Sequence, residues 1–146
     1  MKYTTKTEYG LNCLVYMVRH GGLQPITIKE IATAEKYSPT YIEKILQNLR
    51  LAGIVASQHG NQGGYVLTRR PEDITLKDVI EALEGGTFDV FCEPETRDQI
   101  VCTHYCACGV KPIWQGAKNL LDRYFASITL KMIFENKLDP ASVPVH

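Results

Sequence analysis

Four cysteines fall within seventeen residues: Cys92, Cys102, Cys106 and Cys108, with nine, three and one residues between successive members. Thiolates are soft ligands, and several of them on one short stretch suit an iron-sulfur cluster. A structural zinc site more usually shows paired Cys-x-x-Cys knuckles or Cys/His pairs, of which neither is present. Two neighbouring thiols would also serve a thiol-disulfide switch, so two redox chemistries share the segment. The fifth cysteine, Cys13, has no cysteine close in sequence and is expected to be a buried free thiol.

A second set of residues has the chemistry of base and phosphate recognition. Ser38, Thr40, Tyr41, Glu43, Lys44 and Gln47 fall on the side of a helical pattern left free by Ile42, Ile45, Leu46 and Leu49. Glu43 is repelled by phosphates unless it accepts a hydrogen bond from cytosine, so it would discriminate between sites. Downstream, His59, Asn61 and Gln62 sit among glycines that let a backbone come close to a groove. Arg69 and Arg70 follow just behind.

These residues need elements to carry them. Thr5-Lys6-Thr7-Glu8 reads as a capping box opening a first helix, with Leu11, Leu14, Val15 and Val18 on one face before Gly21-Gly22. Thr27-Ile28-Lys29-Glu30 opens a short second helix that ends near Lys36. Ser38 as cap and Pro39 at the first helical position start a third, over residues 39–52, closed by Gly53. Ile54-Val55-Ala56-Ser57 and Tyr65-Val66-Leu67-Thr68 read as the strands of a glycine-tipped hairpin. Thr75 then starts a helix that runs to Gly85-Gly86. Residues 87–111 have no sustained periodicity and need another source of order, such as a bound metal group. From Pro112 a longer helix carries Ile113, Ala117, Leu120, Leu121, Tyr124 and Ile128, a face broad enough to want a partner. A brief turn capped by Thr129 and a loose tail follow.

Two short helices and a hairpin are the parts of a winged helix-turn-helix, in which the second helix enters the major groove. The charge distribution agrees. The net charge is zero, but residues 1–70 hold nine Lys/Arg against four Asp/Glu, and residues 71–146 hold seven against twelve. A basic half suits phosphate contact. The apolar run at residues 14–18 is too short to cross a bilayer and no signal peptide is visible, so a cytoplasmic protein without membrane contact is expected.

The chain closely resembles the Rrf2 family of bacterial transcription regulators, with its IscR, NsrR and CymR groups. The resemblance covers about residues 1–136. It is carried by Thr7-Glu8-Tyr9-Gly10-Leu11, by Ser38-Pro39-Thr40-Tyr41-Ile42-Glu43-Lys44-Ile45-Leu46 and by Leu51-Ala52-Gly53-Ile54-Val55. Gly60-Asn61-Gln62-Gly63-Gly64-Tyr65-Val66-Leu67 and Ile74-Thr75-Leu76-Lys77-Asp78-Val79 complete it. The resemblance implies a homodimer joined through the helix at 112–127 and a roughly palindromic double-stranded operator. It implies three cluster cysteines, the last two separated by five residues and the last standing six before a tryptophan. Cys102, Cys108 and Trp114 meet both spacings, and Cys92 takes the first place. Where the IscR group has a histidine as fourth ligand this chain has Lys111, and an ammonium does not ligate. The NsrR group points instead to Glu8 of the partner subunit, with His104 and Cys106 as alternatives. His59 stands where family members commonly have arginine, so operator preference is expected to differ.

The expected architecture is mainly α with a small β-hairpin. A winged helix-turn-helix domain spans 1–86, a cysteine-rich cluster-binding loop 87–111, a dimerisation helix and terminal turn 112–136, and a tail 137–146. The expected function is that of a homodimeric regulator, not an enzyme. Its operator affinity would be set by a cluster, 2Fe-2S in preference to 4Fe-4S, that senses iron-sulfur status, redox state or nitric oxide. The rival is a cluster-free regulator in the manner of CymR, working through thiol oxidation or a protein partner. A small redox enzyme or electron carrier ranks below both.

Overall fold

The computed structural model describes residues 3–21, 24–61, 63–90 and 107–140. Helix α1 (Thr5–His20) buries Thr7, Gly10, Cys13, Leu14 and Met17, a stripe at helical spacing. Gly10 lets the helix that carries Leu83 approach closely, because a Cβ there would overlap the Leu83 side chain. Helix α2 (Ile28–Glu35) opens with the expected capping box: the Thr27 hydroxyl accepts from the Glu30 N–H at 3.1 Å and the Glu30 carboxylate accepts from the Thr27 N–H at 2.7 Å. Lys36 then turns the chain in the left-handed region, with φ 59°, and leads into α3 (Pro39–Leu51).

Ile42, Ile45, Leu46 and Leu49 of α3 pack with Leu14, Ile31, Ile54, Ile74, Val79 and Leu130 in one core. Burying a side chain of this kind stabilises the fold by about 1.5 to 3 kcal/mol before conformational entropy is counted. Strands β1 (Val55–Gln58) and β2 (Gly64–Leu67) pair antiparallel, Val55 with Leu67 and Gln58 with Gly64. The strands thus begin one residue away from the expected starts. Ile54 is drawn into the end of α3, where its N–H donates to the Leu49 carbonyl at 2.9 Å.

The hairpin is also held from its other edge. Ile26 and Tyr65 exchange backbone hydrogen bonds of 2.9 and 2.8 Å. Gly64 makes room for this, since a Cβ there would lie 2.6 Å from the Ile26 carbonyl oxygen.

A 3-10 turn (Pro71–Asp73) leads to α4 (Leu76–Glu84), which opens with a capping box between Thr75 and Asp78. Helix α5 (Lys111–Ser127) starts one residue before Pro112, and Phe125 is its one buried residue. Helix α6 (Leu130–Phe134) has the expected Thr129 cap, and residues 128–130 pair with 74–76: the Leu76 N–H donates to the Ile128 carbonyl and the Leu130 N–H to the Ile74 carbonyl, both at 2.8 Å.

Candidate nucleic-acid interface and cysteine segment

Helix α3 has two sides. Thr40, Glu43, Lys44 and Gln47, spaced i, i+3, i+4 and i+7, are all exposed and form one stripe opposite the core residues. Ser38 stands at the N-cap and is exposed, but contrary to expectation its hydroxyl makes no capping bond, so only its carbonyl serves the helix. Tyr41 is half-buried: its ring meets Tyr9 of α1 edge-on at 5.4 Å. The stripe therefore presents hydroxyl, carboxylate, ammonium and carboxamide groups, the set that reads base edges and phosphates.

His59 and Asn61 are exposed at the hairpin tip, and Gln62 lies outside the described residues. The two arginines behind the wing are engaged. Arg69 pairs with Asp78 at 3.4 Å, and Arg70 pairs with Asp73 at 2.8 Å and Glu72 at 3.7 Å. They fasten the base of the wing to the turn and α4, and these exposed pairs contribute little to stability.

Cys13 is fully buried, among the residues that α1 turns to the core. Burial, with the nearby Glu35 charge adding to it, pushes its thiol up to about 12, so it stays protonated and inert. Cys108 is a half-buried free thiol three residues before α5. Cys92, Cys102, Cys106 and His104 lie outside the described residues. Among the described residues, no three His, Cys, Asp or Glu side chains lie together as a metal ion would require.

The capping box expected at Thr5 and Glu8 does not form. The N-cap is Thr4, whose hydroxyl accepts from the Lys6 N–H at 3.2 Å, which moves Glu8 out of the reciprocal position. That role falls to Glu84 at the end of α4. Its carboxylate accepts from the Thr4 N–H at 3.0 Å, the Thr4 hydroxyl at 2.6 Å and the Thr7 hydroxyl at 3.0 Å. Glu8 is left exposed, with no hydrogen bond or ion pair among the described residues.

Burial works to raise the Glu84 carboxyl, but the bonds from Thr4 and Thr7 and the Lys6 charge outweigh it and hold the group below its ordinary 4.5. A folded value below the unfolded one gives stability that is complete above pH 4.5 and fades as the pH falls through the folded value. Glu84→Gln is therefore expected to unfold more easily than the parent at pH 7, by about 1 kcal/mol. The gap should close as urea melts are repeated at falling pH, and a gap independent of pH would contradict this.

Residues after α4 are fastened to α5. Tyr3 donates its hydroxyl to the Thr87 carbonyl at 2.7 Å and sets its ring edge-on to Phe125 at 5.8 Å. Thr87 donates its hydroxyl to Asp122, and Phe88 stacks on Trp114 with ring centres 6.4 Å apart. The chain just ahead of the cysteine segment and the helix just after it are thus brought together.

A helical reading element seated on a core, with a short hairpin beside it, defines a winged helix-turn-helix regulator of transcription. The chain belongs to the Rrf2 family: residues 3–136 match the family described as an iron-dependent transcriptional regulator. It is 37% identical over 130 residues to "Protein rrf2" of Nitratidesulfovibrio vulgaris, covering 89% of this chain and 85% of that protein. Among solved structures it is similar to CymR (YrzC), the global cysteine regulator of B. subtilis. The TM-score is 0.73 at 29% identity, over 95% of this chain and 99% of that one. It is similar also to T. potens IscR, with a TM-score of 0.68 at 30% identity, over 100% of this chain and 94% of that one. The chain is a transcription regulator, then, and not an enzyme, and among the described residues no helix is long and apolar enough to cross a membrane.

Proposed function

We propose that this protein is a homodimer that reads a roughly palindromic operator with α3 and the wing, and that an iron-sulfur cluster sets its affinity for that operator. The observation that carries the reading part is the exposed stripe Thr40, Glu43, Lys44 and Gln47 on a helix whose other side is core. In this reading Ser38 and Thr40 contact phosphates, Glu43 accepts from cytosine, and His59, Asn61 and Gln62, the last outside the described residues, serve the minor groove or backbone.

The ligand set is Cys92, Cys102 and Cys108 with Glu8 of the partner subunit, and His104 and Cys106 are the alternatives for the fourth place. The chemistry of the two described donors fits. Cys108 is a free, accessible thiol, and Glu8 has lost the capping role that would have occupied its carboxylate. A 2Fe-2S cluster held there would supply a redox- and nitric-oxide-sensitive centre. A carboxylate ligand in place of a fourth thiolate suits a labile sensor better than an electron carrier.

A second reading draws on the similarity to CymR: the same cysteines work without a cluster, by thiol oxidation or through a protein partner.

The reading half is tested by selecting duplexes from a random pool with the purified protein. A palindromic consensus is expected, and Glu43→Ala should then lose about 1 to 3 kcal/mol of discrimination at one base pair of each half-site. Unchanged discrimination across single-base operator variants would remove Glu43 from the reading set.

A further inference from the structure

The face of α1 that carries Thr5, Tyr9 and Asn12 is joined to the residues that frame the start of α3. The Tyr9 ring stacks on Tyr37 with centres 4.1 Å apart and 12° between planes, and meets Tyr41 edge-on at 5.4 Å and 85°. Asn12 donates its Nδ2–H to the Tyr37 hydroxyl at 2.7 Å, and the hydroxyls of Thr5 and Tyr41 lie 3.4 Å apart. Tyr37 and Tyr41 bracket Ser38, Pro39 and Thr40, the residues at the end of a recognition helix that first reach the bases.

The first turn of α3 has little of its own to hold it. Ser38 makes no side-chain cap, Ser38, Pro39 and Thr40 are exposed, and the local hold is the fixed φ of Pro39 and the Ser38 carbonyl, which accepts from the Tyr41 and Ile42 N–H groups at 3.1 Å. The core of α3 begins only at Ile42.

We infer that Tyr9 is a positioning residue for DNA reading: it clamps Tyr37 and Tyr41 and so fixes the direction in which the first turn of α3 projects. A flat stack against one ring and an edge contact to the other restrict both tilt and rotation, which a branched aliphatic side chain does not. The Tyr41 ring is then committed to the protein, leaving its hydroxyl as the part that can reach DNA. The inference rests on the DNA-reading function proposed above.

The test uses the full-length protein and a duplex selected from a random pool by the wild type. Tyr9→Leu keeps an apolar side chain but cannot stack. Its ratio of specific to non-specific affinity is expected to fall about tenfold, the scale of losing two aromatic pairs. The salt slope should stay as in the wild type, because no phosphate contact is removed. Amide exchange at residues 38–43 should rise while that of α4 does not, and Tyr9→Phe, which keeps the ring, should restore both readouts.

If Tyr9→Leu does not fold, Asn12→Ala, on an exposed residue, must lower the ratio by roughly twofold to fivefold, the value of one lost hydrogen bond. Wild-type discrimination and wild-type exchange at 38–43 in the folded variant overturn the inference. Failure of the DNA reading itself shows earlier, as a wild type that enriches no duplex, and overturns the inference with it.

Discussion

Leu120→Glu is expected to turn the proposed dimer into a monomer of the 16.4 kDa chain and to weaken operator binding by roughly 10²- to 10⁴-fold, the loss that follows when two linked half-site contacts become one. The reason lies in α5. Ile113 is 62%, Trp114 43% and Leu120 56% exposed, large apolar side chains on a helix with a single buried residue. In a two-fold interface each patch is used twice, so one substitution places two carboxylates in it. An uncompensated buried charge costs about 3 to 5 kcal/mol, so association should weaken on the order of a thousandfold or more. Leu120 is exposed in the single chain, and circular dichroism of the variant should match the parent. Sedimentation velocity checks the mass. A variant that stays dimeric and binds the selected duplex as tightly as the parent contradicts the proposed interface.

The cysteine substitutions carry the other large effect. In protein purified without oxygen, Cys92→Ala, Cys102→Ala and Cys108→Ala are each expected to lose the visible chromophore with its iron and sulfide, while Cys106→Ala keeps all three. Each of the first three removes a thiolate from a set already short of one, which leaves only two soft thiolate donors for the cluster. Cys13 offers an internal control: buried and held protonated, it cannot ligate, and Cys13→Ala should stay coloured. Iron and acid-labile sulfide analysis of the five variants decides the assignment. If Cys106→Ala is the one that bleaches, Cys106 is a ligand and the spacing argument from Trp114 is wrong.

Local signals in the chain were legible and tertiary ones were not. Helical periodicity located α1, α3, α4 and α5 to within a residue or two, because α1, α3 and α4 each bury a stripe at helical spacing and α5 carries apolar residues at the same spacing. The Thr27 capping pattern formed as read, and Thr75, read only as the start of a helix, forms a second box with Asp78 as the reciprocal acceptor. The Thr5-to-Glu8 pattern did not, because Glu84, 80 positions away from Thr4, caps α1 from another helix, and no local pattern announces such an acceptor. The Ile26 bridge to β2 escaped for a similar reason, since one paired residue has no period. Of the residues proposed to read DNA, Thr40, Glu43, Lys44 and Gln47 followed from the apolar stripe opposite them. The partners of Tyr41 did not, because aromatic stacking across helices depends on their spacing in the fold. Of the apolar face read for α5, Ile113 and Leu120 stay exposed in the single chain, Ala117, Leu121 and Tyr124 are half-buried, and Ile128 is buried just past the end of the helix.

Cluster control of DNA binding is tested most directly by one titration. Protein purified without oxygen is titrated onto its selected duplex, with iron and sulfide measured on the same sample, and the titration is repeated after the cluster has been removed. The account predicts bound iron and sulfide and an affinity that changes at least about tenfold on their loss, within the ordinary range of coupling between two sites. A colourless protein that holds neither iron nor sulfide, and binds the duplex equally before and after the treatment, contradicts it.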